Sequence, residues 1–187
     1  MDAASKRSAT TAPVLPDILA PGLAVVFCGS AAGAVSARLG AYYAGPGNRF
    51  WPTLHAVGLT PRELAPHEFA TLPAYGLGLT DMAKHVSGAD AVLPRGSDDP
   101  EGLRDRILAA RPCVLAFVGK RAAGVFMRAE FGRRDVPCGE QAETLDGIRL
   151  FVLPSPSGLA RRYWDIRPWR ALARAARDGN NERGSPE

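Results

Sequence analysis

Three short runs along the chain are almost uninterruptedly apolar: Leu23 to Cys28 (LAVVFC), Cys113 to Val118 (CVLAFV) and Arg149 to Leu153 (RLFVL). They are rich in β-branched and aromatic residues, as expected of strands covered on both faces, where neither side alternates toward water. Tyr75 to Leu79 is a weaker fourth candidate. Between the runs lie patterns of helical period with end signals. Asp98, Asp99 and Pro100 start a helix through Leu103, Ile107 and Leu108 that Pro112 stops. Lys120 to Phe131 follows Gly119 as another. Asp165 with Pro168 opens a last one, with Ile166, Trp169, Leu172, Ala173 and Ala176 on one face and Gly179 just past its end. Asn48 to Val57 and Pro61 to Leu72 read as two more.

Strands alternating with helices imply a sheet covered on both sides. The expected fold is α/β: a three-layer α/β/α sandwich around a central, mainly parallel sheet of four or five strands. Residues 1–14 and 179–187 lack periodicity and are Ser/Thr/Ala-rich and Gly/Asn/Glu/Ser/Pro-rich, so both are expected to be flexible tails flanking one domain, 15–178. A chain of 187 residues suits one domain, and 46% hydrophobic with 22% charged residues excludes a wholly disordered one. Cys28, Cys113 and Cys138 are odd in number and widely spaced, which suits reduced thiols and offers no zinc pattern, so no metal is expected. Met1 to Ala20 lacks the apolar core of a signal peptide, which points to the cytoplasm.

Charge adds a direction. The formal net charge is only +4, but Lys6, Lys84 and Lys120 are the sole lysines among 23 basic residues. Toward the C-terminus Arg161, Arg162, Arg167, Arg170, Arg174 and Arg177 face only Asp165 and Asp178, an arrangement that attracts phosphates or simply solvates helix faces. In a parallel sheet ligands bind beyond the carboxyl ends of the strands, so the loops there carry the candidate chemistry. The first strand leaves into Gly29-Ser30-Ala31-Ala32-Gly33, a small-residue turn whose N–H groups suit an anion or a polar ring edge. It lacks the Gly-Lys-Ser/Thr end of a phosphate loop and the third Gly of a dinucleotide fingerprint. The last strand leaves into Pro154-Ser155-Pro156-Ser157-Gly158-Leu159-Ala160-Arg161-Arg162, a rigid turn with a leucine and two arginines that suits insertion into a duplex or an ordinary surface loop with a buried leucine.

In combination these segments are more specific. DILAPGLAVVFCGSAAG, GPGNRFWPTLHAVGLT, LGLTDMAKHVS and VLPSPSGLARR, in this order and spacing, resemble the mismatch-specific uracil/thymine-DNA glycosylase family of the bacterial MUG type. The resemblance covers roughly Leu15 to Ala176. It implies a uracil-DNA glycosylase-like sandwich that rotates a damaged pyrimidine out of DNA and hydrolyses its N-glycosidic bond, without a cofactor and as a monomer. It implies a base pocket of Gly29, Ser30, Ala31, Ser36 and Tyr43, with Tyr43 as the aromatic that stacks on the flipped base. It also implies a DNA-binding wedge of Ser155, Ser157, Gly158, Leu159, Arg161 and Arg162. The partner would be double-stranded DNA containing uracil or G:U and G:T mismatches. Stacking and plugging offset a flipping cost of a few kcal/mol.

Two departures bear on mechanism. The family's G-x-N-P-G motif carries an Asn that positions the hydrolytic water, but Ala31 stands there and Ala32 replaces the Pro; Ser155 replaces the Asn of the wedge motif. Asp81, expected just past the second strand, is the candidate catalytic group: its carboxylate can take a proton from water and stabilise an oxocarbenium-like sugar, or it can cap the following segment. His85 reads as a surface residue, and Lys84 and Lys120 as structural or phosphate-binding rather than Schiff-base nucleophiles, so a monofunctional hydrolase is favoured. His55, Phe50 and Trp51 read as packing. The competing class is a non-catalytic binder of mismatches or abasic sites, motivated by Ala31; a nucleotide-binding α/β protein is more remote.

Overall fold

The computed structural model describes residues 12–183. Five strands, β1 (Val25–Gly29), β2 (Leu77–Asp81), β3 (Val114–Val118), β4 (Gly139–Leu145) and β5 (Ile148–Leu153), form one sheet in the order β2-β1-β3-β5-β4. β1, β2, β3 and β5 are parallel, and β4 runs antiparallel along β5. The helices are α1 (Ala34–Leu39), α2 (Phe50–Ala56), α3 (Pro100–Ala110), α4 (Lys120–Phe131) and α5 (Arg167–Arg183), with 3₁₀ segments at Pro66–Tyr75 and Gly158–Tyr163. This is the three-layer, mainly parallel α/β sandwich expected from the sequence.

Both faces of the sheet are covered, which is why its central strands are continuous apolar runs. In β3, Val114, Ala116 and Val118 join one core cluster and Leu115 and Phe117 the other. The first cluster packs Phe50 and Leu54 of α2 and Trp169, Leu172 and Ala176 of α5 against the sheet. The second packs Leu103 and Ile107 of α3 and Phe126 and Met127 of α4 against the opposite face. Each such leucine, isoleucine, phenylalanine or methionine contributes roughly 1.5–3 kcal/mol by leaving water.

The differences from the expected elements have local causes. β4 was not expected: GEQAETL is a polar edge strand, with only Gln141 and Leu145 buried. Pro61 to Leu72 is not an α-helix; Pro66, inside that span, has no N–H to bond the residue four before it, and a 3₁₀ segment begins there instead. Because that segment ends on Gly76 at φ 72°, the strand after it starts two residues later than expected, and Asp81 closes β2 instead of following it. α5 continues through Gly179 to Arg183 instead of ending before it.

The expected N-terminal tail lies mostly outside the described residues, as does 184–187. Within the described part, the Val14 amide donates to the Lys84 carbonyl at 2.7 Å. Ile18 pairs with Leu79 through two backbone bonds of 2.8 and 2.9 Å, covering the outer edge of β2. Gly78 permits that approach, since a Cβ there would sit 2.5 Å from the Ile18 carbonyl oxygen.

Candidate functional site

The parallel register brings Gly29 and Asp81 side by side at the carboxyl ends of β1 and β2. Beyond them the two exits stay joined: Met82 N–H donates to Gly29 O and Ala83 N–H to Ser30 O, each at 2.8 Å, and Gly88 N–H donates to Ala32 O at 2.9 Å. A Cβ added to Gly29 would lie 2.5 Å from Asp81 Oδ1 and 3.2 Å from the Tyr43 hydroxyl. The missing side chain of Gly29 is therefore what lets a carboxylate and a phenol converge. Ser30 is buried and Ala31 half-buried beside this point, so these residues form one site with Asp81.

Asp81 is only 4% exposed, and among the described residues no hydrogen bond to its side chain is formed, so the capping role is not taken up. Burial pushes its carboxyl up to about 7; Lys84 and Arg106 pull the other way, and Asp17 adds to the rise. Behind it lies a layer of charge. Lys84 Nζ meets Asp17 Oδ1 at 2.7 Å and donates to Leu15 O at 2.7 Å and the Tyr42 hydroxyl at 3.2 Å. Asp17 also accepts the Thr80 hydroxyl at 2.7 Å, and Arg106 reaches Asp17 Oδ2 at 3.4 Å and the backbone oxygen of Asp81 at 3.1 Å. Asp81 and Asp17 thus face Lys84 and Arg106 in a partly buried cluster, and Arg106 also reaches Asp99 at 3.7 Å, so each charge has an opposite one nearby. No motif or spacing marks Asp17 or Arg106, whose partners are far along the chain.

Tyr43 has φ 53°, a left-handed conformation that costs a non-glycine residue roughly 1–2 kcal/mol. Both flanking peptides are pinned: Trp51 Nε1–H donates to Tyr42 O at 3.0 Å, and Ala44 N–H to Ser36 Oγ at 3.1 Å. Ser36 thus holds the Tyr43 loop with its hydroxyl. The Tyr43 ring stacks on Phe50, centroids 3.9 Å apart and 18° from parallel. Its hydroxyl is buried without a hydrogen-bond partner. Burial, then Asp81, then Cys28 hold that phenol well above its ordinary range, so it stays protonated.

The loop after Tyr43 meets the turn after β5. Arg49 N–H donates to Pro156 O at 2.8 Å, and a Cβ on Gly158 would come within 2.9 Å of Pro46 O. Gly47 lies against Arg161, whose Nη2 would be 2.8 Å from a Cβ there. Ser155 Oγ and Ser157 Oγ accept the Ser157 and Leu159 amides, each at 3.3 Å, tightening the turn. A cleft of ≈ 360 Å³ opens here, lined by Gly45, Pro46, Asn48, Ser157, Gly158, Leu159 and Arg161. Leu159 is 90% exposed and not the buried leucine of an ordinary loop; Arg161, Arg162 and Tyr163 are exposed beside it.

The remaining candidates separate cleanly. His85 is exposed, and Lys120 is exposed at the first position of α4. Lys84 is committed to the Asp17 cluster. Phe50 and Trp51 are core residues, whereas His55 is an exposed residue whose Nδ1 lies 3.3 Å from Thr60 O and is not packing. Cys28 and Cys113 are buried free thiols, Cys138 an exposed one.

Two comparisons bear on this geometry. The family model described as the uracil DNA glycosylase superfamily matches residues 16–175, most of the chain. The chain is also similar to the solution NMR structure of a candidate uracil DNA glycosylase from Methanosarcina acetivorans, with 25% identity, a TM-score of 0.61, and coverage of 89% of this chain and 96% of that one.

Proposed function

The chain belongs to the uracil DNA glycosylase superfamily and is a DNA glycosylase, and from that premise we propose that it excises uracil opposite guanine from double-stranded DNA. Base removal leaves an abasic site, and no strand cleavage follows. The observation that carries this reading is the Asp81 carboxylate, buried, without a side-chain hydrogen bond among the described residues, and filling the space beside Gly29 together with the Tyr43 hydroxyl. Ala31, which replaces the family's Asn, has no group to offer water, and Asp81 at the neighbouring strand end is the carboxylate that takes over that task in this reading.

In this mechanism the extruded base lies against the β1 exit loop. Asp81 takes a proton from a water molecule as the water oxygen bonds to C1′ of the deoxyribose. The N–C1′ bond breaks, its electron pair leaves with the base, and the base then takes up a proton. While the sugar carries positive charge, the ionised Asp81 stabilises it. Leu159 fills the vacated stack, and Arg161 and Arg162 bind the flanking backbone or the orphaned guanine. Lys84 takes no part as a nucleophile, because its ammonium is held by Asp17, Leu15 and Tyr42.

A labelled duplex with one uracil, incubated with the protein and heated in alkali, should break at that site. Asp81→Asn should slow base release on the order of a hundredfold, within the range that general acid–base assistance supplies. Binding without breakage would favour the second reading, a non-catalytic binder of mismatches or abasic sites, which Ala31 motivates. The small side chains of Ala31 and Ala32 further suggest a range extending to thymine opposite guanine or to single-stranded uracil. Processing of uracil opposite guanine alone would remove that extension.

A further inference from the structure

Tyr43 is built more elaborately than a stacking plate requires. Its backbone is held in a left-handed conformation by bonds to the peptides on both sides, Trp51 to Tyr42 O and Ala44 to Ser36 Oγ. Strain of this kind persists where the surroundings over-determine it, and it gathers at functional sites. One face of the ring is covered by Phe50. What the strain achieves is the placement of the hydroxyl, which is buried, without a partner, and converges with Asp81 Oδ1 on the position of an absent Gly29 side chain.

We infer that the Tyr43 hydroxyl and the Asp81 carboxylate grip the same attacking water, so that Tyr43 is a second catalytic residue and not only an aromatic surface for the base. The inference rests on the assignment of Asp81 as the acceptor of the water's proton. A phenol oxygen can accept one hydrogen bond while keeping its own proton. With Asp81 accepting one O–H of the water and Tyr43 accepting the other, a lone pair of the water oxygen is left to attack C1′. The proton on that first O–H passes to Asp81 as the new C–O bond forms, and Tyr43 neither gains nor loses one. Two fixed acceptors replace what a single Asn side chain supplies elsewhere in the family, which accounts for the tolerance of Ala31.

Tyr43→Phe tests this, because it keeps the ring on Phe50 and deletes only the oxygen. The single-turnover rate of uracil release should fall about tenfold to a hundredfold, while affinity for a duplex carrying an uncleavable abasic-site analogue changes less than about twofold, since only the reacting geometry is altered. The double variant with Asp81→Asn should lose less than the product of the two single losses. The urea midpoint should hold or rise, because an unpartnered buried hydroxyl is removed. If Tyr43→Phe works at the wild-type rate while Asp81→Asn is impaired, the inference falls and the assignment of Asp81 stands. A parallel loss of rate and affinity also overturns it, returning Tyr43 to a packing role. If the wild-type protein releases no base, both fall together.

Discussion

Burying a carboxylate that must ionise makes the protein less stable than it would otherwise be, and Asp81→Asn should expose that cost. The Asp81 carboxyl is raised from 3.8 to about 7 in the folded protein. A group with a raised folded pKa contributes stability that is fully present below its unfolded pKa and is lost as pH rises through the folded one. The asparagine resembles the protonated acid and stays neutral at every pH. Three pK units correspond to about 4 kcal/mol at 1.36 kcal/mol each, a penalty reached only above pH 7. At pH 5 linkage leaves less than half of it, so the advantage of the variant should widen by roughly 2–3 kcal/mol between pH 5 and pH 8. Urea unfolding of both proteins at the two pH values measures this directly, provided the slopes agree. An advantage that stays constant across that range would show that Asp81 ionises as an ordinary carboxyl, and the account of its environment would be wrong.

Three other outcomes follow from the same geometry. Base release should fall as pH drops through about 7, because the ionised form of Asp81 is the one that accepts the proton; a rate flat from pH 6 to 8 under single-turnover conditions would contradict this. Gly29→Ala would put a carbon 2.5 Å from Asp81 Oδ1, so the carboxylate must turn away; release should slow at least about tenfold, with the free energy of urea unfolding changed by less than about 1 kcal/mol, because the end of one side chain moves and the core does not. Leu159→Ala and Arg161→Ala should weaken duplex binding or slow base removal, measured by titration and by alkali cleavage; no change in either assay would count against insertion of that turn into DNA.

The central strands and most helices were legible because burial on both faces writes continuous apolar runs into β1, β3 and β5. β4 was hidden because an edge strand keeps its polar residues, although Asp146-Gly147, with φ 50° and 82°, is the hairpin turn that announces it. At the candidate site, strand ends and motif order point to Asp81, Ser30 and the Leu159 turn, which the structure places at the exits of β1, β2 and β5. The conformation of Tyr43 could not, since nothing in a tyrosine predicts a positive φ. Nor could Asp17 and Arg106, because LPDIL resembles a turn and the Arg104-Asp105-Arg106 stretch resembles a solvated helix face.

The segment from Val14 to Ile18 has a consequence for how the protein is made. It hydrogen-bonds or ion-pairs with Tyr42, Leu79, Thr80, Lys84 and Arg106, all of which leave the ribosome after it. Asp17 must wait as a solvated aspartate until β2 and α3 exist, and the surroundings of Asp81 are completed only when this early stretch is laid across them. The setting of Asp81 thus depends on residues far apart in the chain, so a chain halted before α3 would hold Asp17 without its Arg106 partner.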